Sequence, residues 1–132
     1  EPFLISSAVI LIVAQRLIRK ICTECRQPVK SHAQLVIDLG VPPDEVKSFP
    51  TYQGKGCAIC SGTGYKGRLG LYEVMLIKEE VKELILARAS TTEIKKEAIR
   101  LGMKTLRQSG IHKIRAGITT IEEVLRSTIE DR

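Results

Sequence analysis

The first 21 residues carry a long apolar run. From Phe3 to Val13 only Ser6 and Ser7 are polar. The run is about half of the ~20 residues that cross a bilayer, and no positively charged segment precedes it, as a secretory signal would require. A short segment that is apolar on all sides is typical of a helix buried in a larger protein. The pattern predicts such a helix, continuing to Ile21.

A second, shorter helix is predicted between two pairs of cysteines. Residues Ser31 to Gln34 have the form of a capping box, an apolar face follows, and Gly40 ends the helix. From Val41 to Gly67 the chain is rich in Pro, Gly, Ser and Lys and shows no sustained period. This stretch is predicted to consist of loops that are held in place by something other than a hydrophobic core.

The segment Arg68 to Ile77 has the pattern of a strand covered on both faces, because it is short and nearly continuously apolar. No second convincing strand is apparent in the chain. The partners of this strand are therefore expected in sequence that is absent here.

After Lys78 the pattern is helical. Capping sequences begin at Ser90 and Thr120, and Gly102 and Gly117 mark helix ends. We predict four helices, of which the third runs from about Thr105 to Ala116 and the fourth carries Ile121, Val124, Leu125 and Ile129. Together they are expected to form a small helical bundle.

Composition supports a modest core of Leu, Ile and Val, since 43% of the 132 residues are hydrophobic but only 4% are aromatic and none is Trp. The chain begins at Glu1 without an initiator Met, which indicates a fragment.

The net charge of +6 counts the cysteines as neutral. Four thiolates around one divalent ion would reduce it by two. A small basic concentration comprises Arg16, Arg19, Lys20, Arg26 and Lys30. No aromatic residues interleave with it, so a solvated face is favoured over a nucleic-acid surface.

All four cysteines fall in two Cys-x-x-Cys pairs separated by 31 residues, Cys22 with Cys25 and Cys57 with Cys60. Two such turns can complete a closed tetrahedron around one ion at about 2.3 Å. We predict one structural zinc ion. Four thiolates also suit iron, but the site needs no redox role.

Glycine is expected to assist the second pair. Gly62 stands where a positive φ would turn backbone N–H groups toward the thiolates, whereas Gln27 occupies the matching place after the first pair. Because the segment between the pairs has few apolar residues, Cys57→Ser is expected to unfold residues 22–67 and to spare the helices after Lys78.

Other interpretations of the cysteines are weaker. Two disulfides are disfavoured because nothing marks the chain for export. A redox Cys-x-x-Cys would occur once, after a strand and at the start of a helix. His32 and His112 are predicted to be surface histidines.

The stretch from Gly62 to Gly67 matches the Gly-x-Gly-x-x-Gly pattern of dinucleotide sites, but those sites follow a strand and open a helix. Here it is predicted to be the turn that leads out of the zinc site. No phosphate loop and no nucleophile with a base is apparent. The chain alone is therefore expected to catalyse nothing.

The order of these motifs resembles the C-terminal part of type II secretion and type IV pilus assembly ATPases. The resemblance rests on Ala14-Gln15-Arg16-Leu17, the two cysteine pairs, Gly62 to Arg68, Leu71-Tyr72-Glu73-Val74, Gly102 to Arg107 and Gly117 to Leu125. It implies a cytoplasmic, homo-hexameric motor that hydrolyses ATP with Mg²⁺ and meets a platform protein at the inner membrane to drive pilus assembly or protein transport. Its nucleotide motifs would lie upstream, so only the four zinc ligands are carried over.

The resemblance also implies an α+β fragment, mainly α, from a RecA-like P-loop ATPase core with an inserted tetracysteine module. The expected divisions are a core helix (1–21), the zinc-binding subdomain (22–65), a strand returning to the core (66–77) and a helical subdomain (78–132). The alternative is a stand-alone zinc-ribbon binding module, either chaperone-like or nucleic-acid-binding. Cys57 to Gly64 resembles one repeat of the zinc domain of DnaJ-type chaperones, which carry four.

Overall fold

The computed structural model describes residues 1–30 and 32–129, and over these residues the fold is α+β, with six α-helices and two two-stranded sheets. In chain order the elements are α1 (Pro2–Ala8), β1 (Leu11–Ile21), β2 (Arg26–Val29), α2 (Ala33–Leu39), a 3₁₀ helix (Pro43–Glu45), β3 (Thr51–Gly54), β4 (Tyr65–Leu76), α3 (Glu79–Leu86), α4 (Thr91–Arg100), α5 (Leu106–Arg115) and α6 (Ile121–Ser127). None of the described helices has the length and apolar character needed to cross a membrane.

The chain divides into two compact units. The first unit comprises residues 1–14 and 72–105, and the second comprises 15–71 with the residues from Leu106 onward. Helices α3 and α4 belong to the first unit, whereas α5 and α6 belong to the second.

The predicted helix to Ile21 is wrong beyond Ala8. Helix α1 ends there, and residues 11–21 form strand β1, which pairs with β4. The prediction that β4 has no partner in this chain is therefore also wrong. A short run that is apolar on all sides fits a strand as well as a helix, and only the pairing with a distant segment decides between them.

Strand β4 confirms the predicted strand, although it begins three residues earlier, at Tyr65. The described residues do not cover it on both faces. Leu71 is fully buried, whereas Tyr72, Val74 and Leu76 are 52%, 44% and 51% exposed. In the same unit as these three residues, Phe3 and Ile10 are 67% and 78% exposed.

The stretch from Val41 to Gly67 is more ordered than its composition indicates. It holds the 3₁₀ helix and β3, which pairs antiparallel with β2 so that Arg26 faces Gly54 and Val29 faces Thr51. It also contributes to the core of the second unit. That buried core consists of Val36, Leu39, Val41, Phe49, Ile114, Ile121 and Val124. The expectation of loops without a hydrophobic core is therefore wrong, because α5 and α6 supply the missing apolar partners.

Helix α2 confirms the predicted short helix, and Gly40 ends it with a φ of +98°. Its N-cap is His32, which makes no side-chain capping hydrogen bond. Ser31, the first residue of the predicted capping box, lies outside the described residues. At the other end, the buried guanidinium of Arg107 donates to the carbonyl oxygens of Asp38 and Leu39 at 3.1 and 3.4 Å.

The predicted caps of α4 and α6 are confirmed. Ser90 Oγ accepts the N–H of Glu93, and Thr120 Oγ1 accepts the N–H of Glu123, each at 3.2 Å. Helix α6 ends at Ser127, however, so Ile129 lies outside it and is 77% exposed.

Glu123 joins α6 to β1 within the second unit. Its side chain is 1% exposed and accepts the backbone N–H of Arg19 at 2.8 Å and the guanidinium groups of Arg19 and Arg126 at 3.0 and 2.6 Å. Burial, the largest effect, raises the pKa of Glu123, but the hydrogen bonds from Arg19 and both positive charges outweigh it and lower the pKa. The folded state therefore favours the ionised carboxylate.

Replacing this carboxylate should change how stability depends on pH. Because folding lowers the pKa of Glu123, the ionised carboxylate stabilises the fold at pH values above its unfolded pKa of about 4.3. This stabilisation is lost as the pH falls through the pKa of the folded state. We expect Glu123→Gln to lower the free energy of unfolding at pH 7 by about 1–2 kcal/mol, a range that allows for the half-exposed Arg19 side chain. The loss should shrink in acid.

Urea unfolding between pH 2 and pH 7 measures this effect. Glu93→Gln is the matched control, since Glu93 occupies the same position after the cap of α4 but is exposed. If the free energy of unfolding depends on pH equally in Glu123→Gln and in the unaltered protein, the role assigned to Glu123 is contradicted.

Candidate metal centre

Each cysteine pair occupies a tight turn beside a strand of the second unit. Cys22 directly follows β1, and Cys25 directly precedes β2. Cys57 and Cys60 lie between β3 and β4. Strand pairing places both turns side by side, because β1 pairs with β4 and β2 pairs with β3.

The four sulfur atoms converge on one point. All Sγ atoms lie within 4.8 Å of one another, and Sγ is 3.8 Å from Sγ in the pairs 22–57, 25–60 and 57–60. A tetrahedron with metal–sulfur bonds of about 2.3 Å has edges of about 3.8 Å. All four cysteines are free, and these separations far exceed the disulfide bond length of about 2.05 Å. The donor set and its spacing fit a tetrahedral thiophilic metal ion.

Backbone N–H groups point at two of the sulfurs. Cys25 Sγ accepts the N–H of Gly56 at 3.3 Å, and Cys60 Sγ accepts those of Cys57 at 3.3 Å and Gly64 at 3.2 Å. Such donors offset the negative charge of thiolates. The cluster is therefore arranged to hold ionised sulfur.

The glycine expected to assist the second pair adopts the predicted conformation but has another role. Gly62 has a φ of +78°, and its N–H donates to the carbonyl oxygen of Cys57 at 2.8 Å. Among the residues that follow the second pair, it is Gly64, two residues later, whose N–H reaches Cys60 Sγ. Gln27 lies in β2, paired with Gln53.

The thiols of Cys60 and Cys25 differ in acidity. Burial is the largest effect on Cys60 and raises its pKa, but the N–H groups of Cys57 and Gly64 and the neighbouring thiols lower the pKa to about 6. For Cys25, the largest effect is the Gly56 N–H, which lowers the pKa, but burial and the other three thiols raise it to about 11. Ionisation of one thiol in the cluster thus disfavours ionisation of the next, and a bound cation would offset this effect.

Access to the cluster is restricted. Cys22 and Cys60 are 1% and 6% exposed, and Cys25 and Cys57 are half-buried. A site closed by four protein ligands leaves no coordination position for water or substrate. The arrangement can stabilise structure but offers no open position for catalysis.

The family model described as "Type II/IV secretion system protein" matches residues 1–126. The chain belongs to this family. Members resemble it along its whole length: the type IV pilus assembly ATPase PilB of Myxococcus xanthus is 47% identical over 100% of this chain, and PilB of Thermus thermophilus is 46% identical over 98%. The type II secretion system protein E of Aeromonas hydrophila is 38% identical over 99%.

This chain covers 24%, 15% and 26% of those three secretion-system proteins. It therefore spans about a quarter or less of the length of the curated relatives that it matches. The resemblance inferred from the motifs is confirmed at the level of the family.

None of the remaining sequence candidates adds a ligand to the sulfur cluster. His32 and His112 are exposed, as predicted, and neither is among the clustered ligands. The Gly-x-Gly-x-x-Gly stretch leads from the second cysteine turn into β4, with φ of +83° at Gly64 and +84° at Gly67. A strand follows it and not a helix, which is contrary to the arrangement of a dinucleotide site.

Sequence reasoning missed two glycines of the site, Gly54 and Gly56, which precede the second cysteine pair. Gly56 has a φ of +101° and supplies the N–H to Cys25 Sγ. The spacing Gly-x-Gly-Cys was the available signal, but its meaning depends on the pairing of β2 with β3, which the sequence pattern does not reveal.

Proposed function

We propose that this chain is the zinc-binding part of a motor ATPase that powers type IV pilus assembly or type II protein secretion. The observation that carries the proposal is the convergence of Cys22, Cys25, Cys57 and Cys60 in a chain related along its whole length to pilus and secretion ATPases. The ion would be held structurally.

Zinc is favoured over iron by the chemistry of the site. Four thiolates suit either metal, but the closed site lies in a chain where the sequence provides no redox partner. Bound here, zinc would supply a cross-link between the two cysteine turns. The chain's own N–H groups at Gly56, Cys57 and Gly64 would then stabilise the ionised sulfurs.

ATP and Mg²⁺ would bind elsewhere in the complete protein, since this sequence contains no Gly-x-x-x-x-Gly-Lys-Ser/Thr loop. We further propose a cytoplasmic homo-hexamer that docks on a platform protein at the inner membrane, and a RecA-like core that includes α1, β1 and β4. The exposed apolar side chains of Phe3, Ile10, Tyr72, Val74 and Leu76 support that core, because additional sheet and helices would cover them.

The alternative of a stand-alone zinc-binding module is less favoured. In the three relatives described above, the segment that matches this chain makes up 15–26% of a longer protein. No observation in the described residues favours a nucleic-acid partner.

The decisive experiment compares metal content and ATP hydrolysis in three proteins: the complete protein, this chain alone and the complete protein with Cys60→Ser. We expect one zinc per chain in the first two. Only the complete protein should hydrolyse ATP, and the variant should keep nucleotide binding but lose assembly or most of its turnover, because the misplaced cysteine turns disturb β1 and β4.

Three results would count against the proposal. They are the absence of a stoichiometric thiophilic metal, robust magnesium-dependent hydrolysis by this chain alone, and unchanged turnover in the variant. The first would refute the metal site, the second the location of the chemistry, and the third the importance of the site for the motor.

A further inference from the structure

Gly54 and Gly64 bring two segments of backbone into unusually close contact beside the sulfur cluster. A Cβ atom built on Gly54 would stand 2.1 Å from the carbonyl oxygen of Gly64. A Cβ on Gly64 would stand 2.6 Å from the carbonyl oxygen of Gly54. Neither distance is compatible with a side chain, so both positions require glycine unless the backbone moves.

The Gly64 peptide connects the two cysteine turns. Its N–H donates to Cys60 Sγ at 3.2 Å, in the second turn. Its carbonyl oxygen accepts the N–H of Cys22, in the first turn, at 2.9 Å. One residue outside both cysteine pairs therefore makes a hydrogen bond to each of them.

The end of β3 forms a matching connection on the other side. Directly after Gly54, the N–H of Lys55 donates to the carbonyl oxygen of Cys25 at 3.0 Å, and the N–H of Gly56 donates to Cys25 Sγ at 3.3 Å. Gly54 thus leads into the residues that hold the first turn, and it packs on the residue that holds the second.

We propose that Gly54 and Gly64 are positioning residues of the metal centre. Their contact sets how closely the backbone that supports Cys25 approaches the backbone that supports Cys60. A wider separation would lengthen the N–H···S bond to Cys60 and distort the tetrahedron. This inference rests on the proposed metal site, and it gives the Gly-x-Gly-x-x-Gly stretch a role in metal binding and not in nucleotide binding.

Gly54→Ala in the complete protein tests the proposal without backbone strain, since the φ of Gly54 lies outside the left-handed region. Gly62→Asn is the matched control: it follows Cys60 closely, no atom lies within 4 Å of its Cβ position, and Asn tolerates its φ of +78°. Co²⁺ serves as the probe, because thiolate-to-cobalt absorption reports ligand number and geometry. Affinity is measured by competition with a chelator.

We expect Gly54→Ala to bind Co²⁺ roughly 10- to 100-fold more weakly than the unaltered protein, because disturbing the groups that orient metal ligands commonly has an effect of this size. At saturating Co²⁺ its charge-transfer and d–d bands should also differ from those of the unaltered protein. Gly62→Asn should keep the bands and come much closer to the original affinity. If Gly54→Ala does not fold, Gly64→Asn is the second variant. A Cβ on Gly64 lies 2.6 Å from the carbonyl oxygen of Gly54, so its clash is smaller than the one at Gly54, where the distance is 2.1 Å.

Two outcomes would overturn the positioning role. One is unchanged affinity in Gly54→Ala, and the other is weaker binding with unchanged bands at saturation, which would indicate a loss of stability alone. Failure of the unaltered protein to bind Co²⁺ through thiolates would instead refute the metal centre itself, so the two failures are distinguishable.

Discussion

Cys57→Ser is expected to abolish stoichiometric metal binding and to unfold the second unit, while α3 and α4 keep their structure. Coordination by four cysteines contributes on the order of 10 kcal/mol in small zinc modules, which is comparable with the whole stability of a domain. From sequence alone, unfolding is expected over 22–67 only. The structure extends it to α5 and α6, since Ile114, Ile121 and Val124 share a core with the segment between the cysteine pairs.

Amide hydrogen exchange of the complete protein resolves this pattern. Protection should fall in β2, β3, α5 and α6 and remain in α3 and α4. Thr23→Ser is the matched control, because Thr23 lies between two ligands but is exposed. Loss of protection in α3 and α4 equal to that in α5 and α6 would contradict the separation into two units, and full protection throughout would contradict a structural role for the metal.

Arg107→Ala is expected to lower the free energy of unfolding by about 3–5 kcal/mol. The arginine side chain is buried and donates to the carbonyl oxygens that end α2. It also donates to Thr128 Oγ1 at 2.6 Å and to the carbonyl oxygen of Thr128 at 3.2 Å. Alanine would leave all four acceptors without this donor, three of them in buried hydrogen bonds, and would open a cavity. The cation also suits the negative end of the α2 dipole.

Chemical denaturation measures this loss, with Arg100→Ala as the control. Arg100 is an exposed helix arginine that pairs with Glu97 one turn away, so its removal should change the free energy of unfolding far less. Arg107→Lys should fall between the two, because lysine keeps the charge but cannot reach all the acceptors at once. Equal stability of Arg107→Ala and Arg100→Ala would refute the bridging role.

The two cysteine turns and most of the helices were predictable because their signals are local. The Cys-x-x-Cys spacing aims two sulfurs with one turn, and Ser90, Thr120, Gly40, Gly102 and Gly117 act within a few residues of the helix ends they define. Such features depend little on the rest of the chain. They therefore appear in the structure where the sequence places them.

The errors concern elements whose conformation depends on distant residues. β1 becomes a strand because β4, more than forty residues later, pairs with it. β2 and β3 are four residues each, and Pro28 lies in β2, so neither has the alternation that predicts a strand. Gly54 and Arg107 gain their roles only from residues that meet in the folded chain.

The pairing of Val29 with Thr51 closes residues 30–50 into a loop whose two ends meet at the end of the β2–β3 pair that is away from the cysteine turns. Loop-closure entropy grows slowly with length, by only about 0.6 kcal/mol for each doubling. This loop can therefore change in length at its exposed positions, such as Lys47 and Ser48, without moving any of the four cysteines, provided that Val41 and Phe49 still reach the core. These exposed positions are therefore suited to insertions and deletions during evolution, and to the insertion of a reporter.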